Sequence, residues 1–136
     1  MINQDQIKDL TIKQLKDIRN INKIIKLIKL NDLKNGTYQL TQNLELSKMT
    51  KSQMKKEGNF IYGIKKEFPS IEFINYWKSR VGKQPLFLGK WKDPKNNKWI
   101  IEIVEFEKDK EQAINKAIKA NQFSVWDINK EEEIIL

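Results

Sequence analysis

The stretch Lys98–Phe106, KWIIEIVEF, constrains the fold more than any other part of the chain. Read with a period of two, Trp99, Ile101 and Ile103 lie on one side, and Ile100, Val104 and Phe106 on the other. A strand that is apolar on both sides belongs inside a sheet covered, at least in part, on both faces. Its neighbours complete a unit. Leu86–Asp93 alternates as a strand, with Phe87, Gly89 and Trp91 on one side and Leu86, Leu88, Lys90 and Lys92 on the other. Asp93–Asn97, DPKNN, carries the residues of a hairpin turn. Asp109–Gln122 reads as a helix whose Ala113, Ile114, Ala117 and Ile118 form a narrow face suited to close packing on a sheet. Phe123–Ile128 is then the next strand, and strand–helix–strand connections of this kind are usually right-handed and parallel. The expected architecture is α+β: one compact domain with a mainly antiparallel sheet of about four to six strands and about three helices.

Upstream, Thr11 and Gln14 have the spacing of a capping box. At 100° per residue Leu15, Ile18, Ile21, Ile25 and Ile28 then share one face of a helix, with Lys16, Arg19, Lys23 and Lys26 in a stripe away from it. Residues 1–31 are therefore an amphipathic helical region ahead of an α+β core over 36–136. Asn35-Gly36 marks a turn, Thr37–Thr41 a short strand, and Leu44–Leu46 a brief return after Gln42-Asn43. Residues 47–58, SKMTKSQMKKEG, read as a mobile basic loop in which Thr50 and Gln53 cap a single helical turn ended by Gly58. Phe60, Tyr62 and Ile64 alternate as a strand. Ser70 is the N-cap of a helix ended by Gly82, with Ile74, Trp77 and Val81 on its buried face and Phe73 beside them. The terminal Ile134-Ile135-Leu136 adds an edge strand or covers the core.

Composition excludes more chemistry than it supports. The 136 residues include no cysteine and no histidine. Disulfide frameworks, thiolate and serine–histidine mechanisms and the usual zinc sites are therefore ruled out. The net charge of +8 invites an acidic partner, yet nearly all of it is lysine, with Arg19 and Arg80 the only arginines. Abundant Ile and Asn point to an AT-rich coding bias that inflates the lysine count. The distribution is more telling than the total. Residues 1–57 carry 12 basic and 6 acidic side chains, 58–100 carry 9 and 3, and 101–136 carry 5 and 9. Any positive field arises from the first hundred residues. The N-terminal MINQDQIKDL lacks the apolar run of a signal peptide, and no stretch is apolar enough to span a bilayer. A soluble, cytoplasmic protein is expected.

Four groups of residues carry the functional possibilities. In the hairpin GKWKDPKNNKW, Lys90, Lys92, Lys95 and Lys98 interleave with Trp91 and Trp99. Lysines and rings on a projecting ribbon suit single-stranded nucleic acid; the same tryptophans, on strand faces otherwise holding core residues, suit packing better. Glu102, Glu105, Glu107, Asp109 and Glu111 could hold Mg²⁺ or act as acid and base, but they straddle two strand faces and a turn. A solvated strand end and helix N-terminus explains them better. Asn121, Gln122 and Asp127 bracket the last strand, closing the helix end and satisfying backbone groups, with a ligand site as the lesser reading. Gly82 and Gly89 are isolated, so no phosphate-cradling loop is present.

The C-terminal unit resembles a small, functionally uncharacterised domain common in bacteriophage and mobile-element proteins. The resemblance rests on Gly89-Lys-Trp91, the Asp93–Asn97 turn, the long strand Trp99–Phe106, Asp109 to Ala113, Asn121-Gln122 and Trp126-Asp127. It implies a phage or mobile-element origin and no particular activity. Together these readings lead to the expectation of a non-catalytic binding protein, with no cofactor and no metal. Its basic surface would engage a nucleic-acid-handling host protein, in the manner of an anti-CRISPR or anti-restriction inhibitor. The alternative is direct DNA or RNA binding through the Trp91/Trp99 hairpin. The residues expected to meet such an acidic macromolecule are Lys16, Arg19, Lys23, Lys26, Lys48, Lys51, Lys55, Lys56, Lys90, Lys92, Lys95 and Lys98.

Overall fold

The computed structural model describes residues 12–29, 34–65, 71–93 and 95–136. Along the chain these form α1 (Ile12–Lys29), β1 (Gly36–Leu40), β2 (Leu46–Lys48), α2 (Lys51–Glu57), β3 (Phe60–Lys65) and α3 (Ile71–Arg80). They continue as β4 (Leu86–Lys92), β5 (Trp99–Glu107), α4 (Lys110–Lys119), β6 (Ser124–Asp127) and β7 (Glu132–Ile135). All seven strands join one sheet in the order β2-β1-β4-β5-β3-β6-β7, and every pairing is antiparallel. The α+β class is as expected, with more strands than the four to six anticipated. The count reaches seven because the brief return after Gln42-Asn43 and the C-terminal segment both pair, as the edge strands β2 and β7 of three and four residues.

The two-faced strand β5 is interior, between β4 and β3. Because β5 and β6 each run antiparallel to β3, they are parallel to one another, and β3 is inserted between them. The parallel relation expected across α4 is therefore present, without direct pairing.

Alternation along β5 sorts the helices onto two faces. Ile103 packs with Ile21 of α1, Ile74 and Trp77 of α3, and Tyr38, Leu40, Leu86 and Leu88 of the neighbouring strands. Tyr62, which is opposite Glu105 and on that same face, packs with Ala113 and Ala117 of α4 and with Val125. Val104 points the other way, into a cluster with Ile61, Ile128, Phe87, Phe106 and Met54 of α2. So α1, α3 and α4 cover one face and α2 covers part of the other.

Local chemistry fixes the helix ends. Thr50 accepts a hydrogen bond from the Gln53 amide at 3.2 Å, and the Gln53 side chain accepts one from the Thr50 amide at 2.9 Å. This reciprocal cap starts α2, so the segment read as a mobile loop is a two-turn helix. Met54 anchors it to the sheet, and Met49 just before it is buried. The Thr50–Gln53 cap and the Gly58 end were legible in the sequence; the second turn was not, because two isolated methionines carry no periodicity. Asp109 caps α4 by accepting from the Gln112 amide at 3.0 Å. At the far end Asn121 has φ +56°, and the Gln122 and Asn121 amides reach back to the Ala117 and Ile118 carbonyls. That is a left-handed helix stop made with Asn instead of Gly.

Two assignments within helix faces are corrected. Val81 is exposed, because it follows the end of α3 and its backbone is already turning toward Gly82 at φ +72°. Ile118 is exposed as well, because α4 approaches the sheet on its two alanines and Ile118 is carried around the helix away from them. The expected caps at Thr11 and Ser70, and the side chains of Gln14, Leu15 and Ile28, lie outside the described residues.

Candidate functional site

Helix α1 realises the amphipathic pattern. Ile21 is fully buried, Ile24 and Ile25 are partly buried against the same core, and Lys16, Arg19, Lys23 and Lys26 are exposed. At 100° per residue the four cations occupy an arc of roughly 80° opposite the isoleucines, spread over about 15 Å of helix. Among the described residues none of the four is paired with a carboxylate, unlike Lys51 with Glu131 and Lys116 with Glu107.

The second basic segment does not join this stripe. Lys51, Lys55 and Lys56 are exposed on α2, which covers the opposite face of the sheet from α1. Lys51 is already bound to Glu131 in the β6–β7 turn at 3.0 Å. Lys48 is different again: it is opposite Tyr38 on the α1 side, and its side chain crosses Gly36, where an added Cβ would come within 2.8 Å of its Cε. A single flat partner could therefore meet the α1 stripe or the α2 lysines, not both.

The hairpin requires two corrections. Lys90 is only 2% exposed and cannot serve as a surface contact. It is opposite Gly36 and Ile101 in the middle of the sheet, on the face that the helices cover, so strand alternation placed it correctly and hydropathy placed it wrongly outside. Trp91 and Trp99 point to opposite faces, because Trp91 pairs with Ile100 and Trp99 with Lys92. They form no common platform. Trp91 is half-buried and donates from Nε1 to Glu102 Oε1 at 3.1 Å. Trp99 is 38% exposed, with Lys90 Nζ 5.0 Å and Lys92 Nζ 5.6 Å from its ring centre. Lys92, Lys95 and Lys98 are exposed, and Lys95 reaches across to the α4–β6 connection, its Nζ 5.2 Å from the centre of the exposed Phe123 ring.

The carboxylates mostly take structural places. Asp109 is a helix cap, and Glu105 accepts from the Tyr62 hydroxyl at 2.9 Å. Burial, and then this hydrogen bond, push the Tyr62 hydroxyl far above its ordinary range. Glu107 receives the Lys116 ammonium at 2.7 Å, which lowers the carboxyl and raises the amine. Glu102 departs from the expectation of a solvated strand end. It is buried, lies beside Gly89 in register, and fills the space over Gly63, where a Cβ would come within 2.3 Å of its Oε2. A glycine inside a strand often marks such a close approach, and Gly63 carried that signal unread. Among the described residues no cluster of acidic groups is arranged to hold a metal ion.

Asn121 and Gln122 close α4 as expected, and Asp127 is buried, accepting from the Lys130 amide at 3.0 Å. No helix among the described residues is long and apolar enough to cross a membrane. No known family, curated protein or solved structure matches the chain.

Proposed function

We propose that this is a non-catalytic binding protein of phage or mobile-element type, and that α1 is its contact element. Lys16, Arg19, Lys23 and Lys26 would engage an acidic surface on a nucleic-acid-handling host protein, as an anti-CRISPR or anti-restriction inhibitor does. The observation that carries this reading is the α1 stripe itself: four exposed cations on one arc, with no carboxylate partner among the described residues. A solvated cationic row held rigidly by a packed helix is a ready complement to an acidic groove, steering encounter as well as fixing register. A binding role is favoured over a catalytic one by the lack of histidine and cysteine and by the engagement of Glu105, Glu107 and Asp109 in local structure. The phage origin is supported by the resemblance alone.

The experiment compares two charge reversals that the sheet keeps apart. Cleavage by purified RNA-guided and restriction nucleases is measured with wild type, K16E/R19E/K23E/K26E and K51E/K55E/K56E. The expected result is inhibition by wild type and by the α2 variant, lost in the α1 variant, with all three melting alike. Inhibition that survives in the α1 variant would remove α1 as the contact.

A further inference from the structure

We propose that the end of the β4–β5 hairpin, together with Phe123, is a second site that stacks unpaired nucleotides. Trp99 and Phe123 would take base faces, and Lys92, Lys95 and Lys98 the phosphates. The proposal is independent of the α1 reading and uses none of its residues.

Single exposed rings are ordinary on protein surfaces. What distinguishes these two is their surroundings. Each lies beneath a lysine ammonium: Lys92 at 5.6 Å and Lys90 at 5.0 Å from the Trp99 ring centre, and Lys95 at 5.2 Å from that of Phe123. Phe123 is far along the chain from the hairpin and is joined to it by Lys95, which reaches from the hairpin tip to the α4–β6 connection. Residues 90–98 carry four lysines and one aspartate. That aspartate, Asp93, is engaged in the turn, accepting from the Lys95 amide at 2.9 Å. The exposed lysines of the hairpin, Lys92, Lys95 and Lys98, accompany two flat, accessible surfaces, Trp99 at 38% and Phe123 at 64% exposure.

This combination fits a flat polyanion better than an acidic protein surface, whose carboxylates would use the lysines and leave the rings idle. An arriving base takes the ring face, and the displaced ammonium moves to the phosphate that accompanies the base. Lys90 is buried and stays in place against the Trp99 ring, its Nζ 5.0 Å from the ring centre. Unpaired strands are the fitting class because a duplex has already stacked its base faces against one another.

The test is fluorescence anisotropy of a short labelled oligo-dT, and of a duplex of equal length, with the full chain at low and moderate salt. F123A is the primary variant, since so exposed a side chain is replaced without loss of folding. It should weaken oligo-dT binding by about 5- to 150-fold, the range for losing one stacked base. W99A should do the same, with W99F recovering most of the affinity. K92Q/K95Q/K98Q should flatten the slope of log K against log salt by about 2, as three released counterions require for single strands. The α1 charge-reversal variant should bind oligo-dT at near wild-type affinity. Three results would overturn the proposal: F123A binding as tightly as wild type, the duplex binding as tightly as the single strand, or binding abolished by the α1 reversal instead of the hairpin variants.

Discussion

The close approach of Glu102 to Gly63 gives a quantitative prediction. An alanine Cβ at position 63 would stand 2.3 Å from Oε2, 2.5 Å from Cδ and 2.7 Å from Oε1 of Glu102, so the carboxyl group must leave its place. Leaving it breaks the 3.1 Å hydrogen bond from Trp91 Nε1 in a site where Glu102 is 5% exposed. Leaving a buried donor or acceptor without its partner costs about 1–3 kcal/mol. Against that, replacing Gly by Ala where the backbone is not left-handed stabilises by about 0.4–1 kcal/mol, because the unfolded chain loses freedom. The expected net cost of Gly63→Ala is therefore about 1–2 kcal/mol. With Glu102→Ala already in place the clash and the bond are both gone, and only the entropic gain is left. Gly63→Ala should then be neutral or slightly stabilising, a coupling of about 2 kcal/mol between the two positions. Urea unfolding of wild type, both single variants and the double variant measures it. An equal cost of Gly63→Ala in both backgrounds would refute the reasoning and place the need for glycine in the backbone.

Two further outcomes follow from neighbouring features. Gly58→Ala should cost about 1–3 kcal/mol in urea unfolding, since its Cβ would meet the Glu107 backbone at 2.9–3.0 Å and no flexible side chain is there to yield. Tyr62 predicts a loss of stability in alkali: above the ordinary tyrosine value of 10.0 the unfolded chain releases this proton while the folded chain keeps it. Fewer protons are then bound to the unfolded state, so stability falls as pH rises, and Tyr62→Phe should fall less steeply over the same interval. Equal slopes for the two proteins would contradict the burial of that hydroxyl.

Much of the fold was legible because it depends on long apolar patterns. The two-faced run of β5 announced an interior strand, and the isoleucine spacing of α1 announced its packed face. What escaped depends on contacts between distant residues. Lys90 looks like a surface residue until Gly36 and Ile101 are placed on either side of it. Glu102 looks like one more member of an acidic run until Gly63 is seen to make room for it. The basic residues of α1 and α2 read as one charged surface because sequence records their sign and not the sheet that separates them. The pairing of Lys95 with Phe123 left no trace in either segment. For the candidate site, then, the chain shows the kinds of residue and leaves their grouping undecided.

The insertion of β3 between β5 and β6 also governs the order in which the molecule can assemble during synthesis. Emerging from a ribosome, the described part of the chain has only the small β1–β2 ladder to close before residue 86 is made. β3 then waits with both of its edges open until Trp99 and later residues supply one neighbour and Ser124 onward the other. Pairings this distant make folding slow and leave strand edges open to the wrong partner meanwhile. The segment 86–136 has the complementary difficulty. Made by itself it would hold two pieces of sheet, β4–β5 and β6–β7, with a strand-wide gap between them. Another chain's extended segment could fill that gap, so a fragment cut there should associate with a peptide spanning residues 58–65 far more readily than with itself.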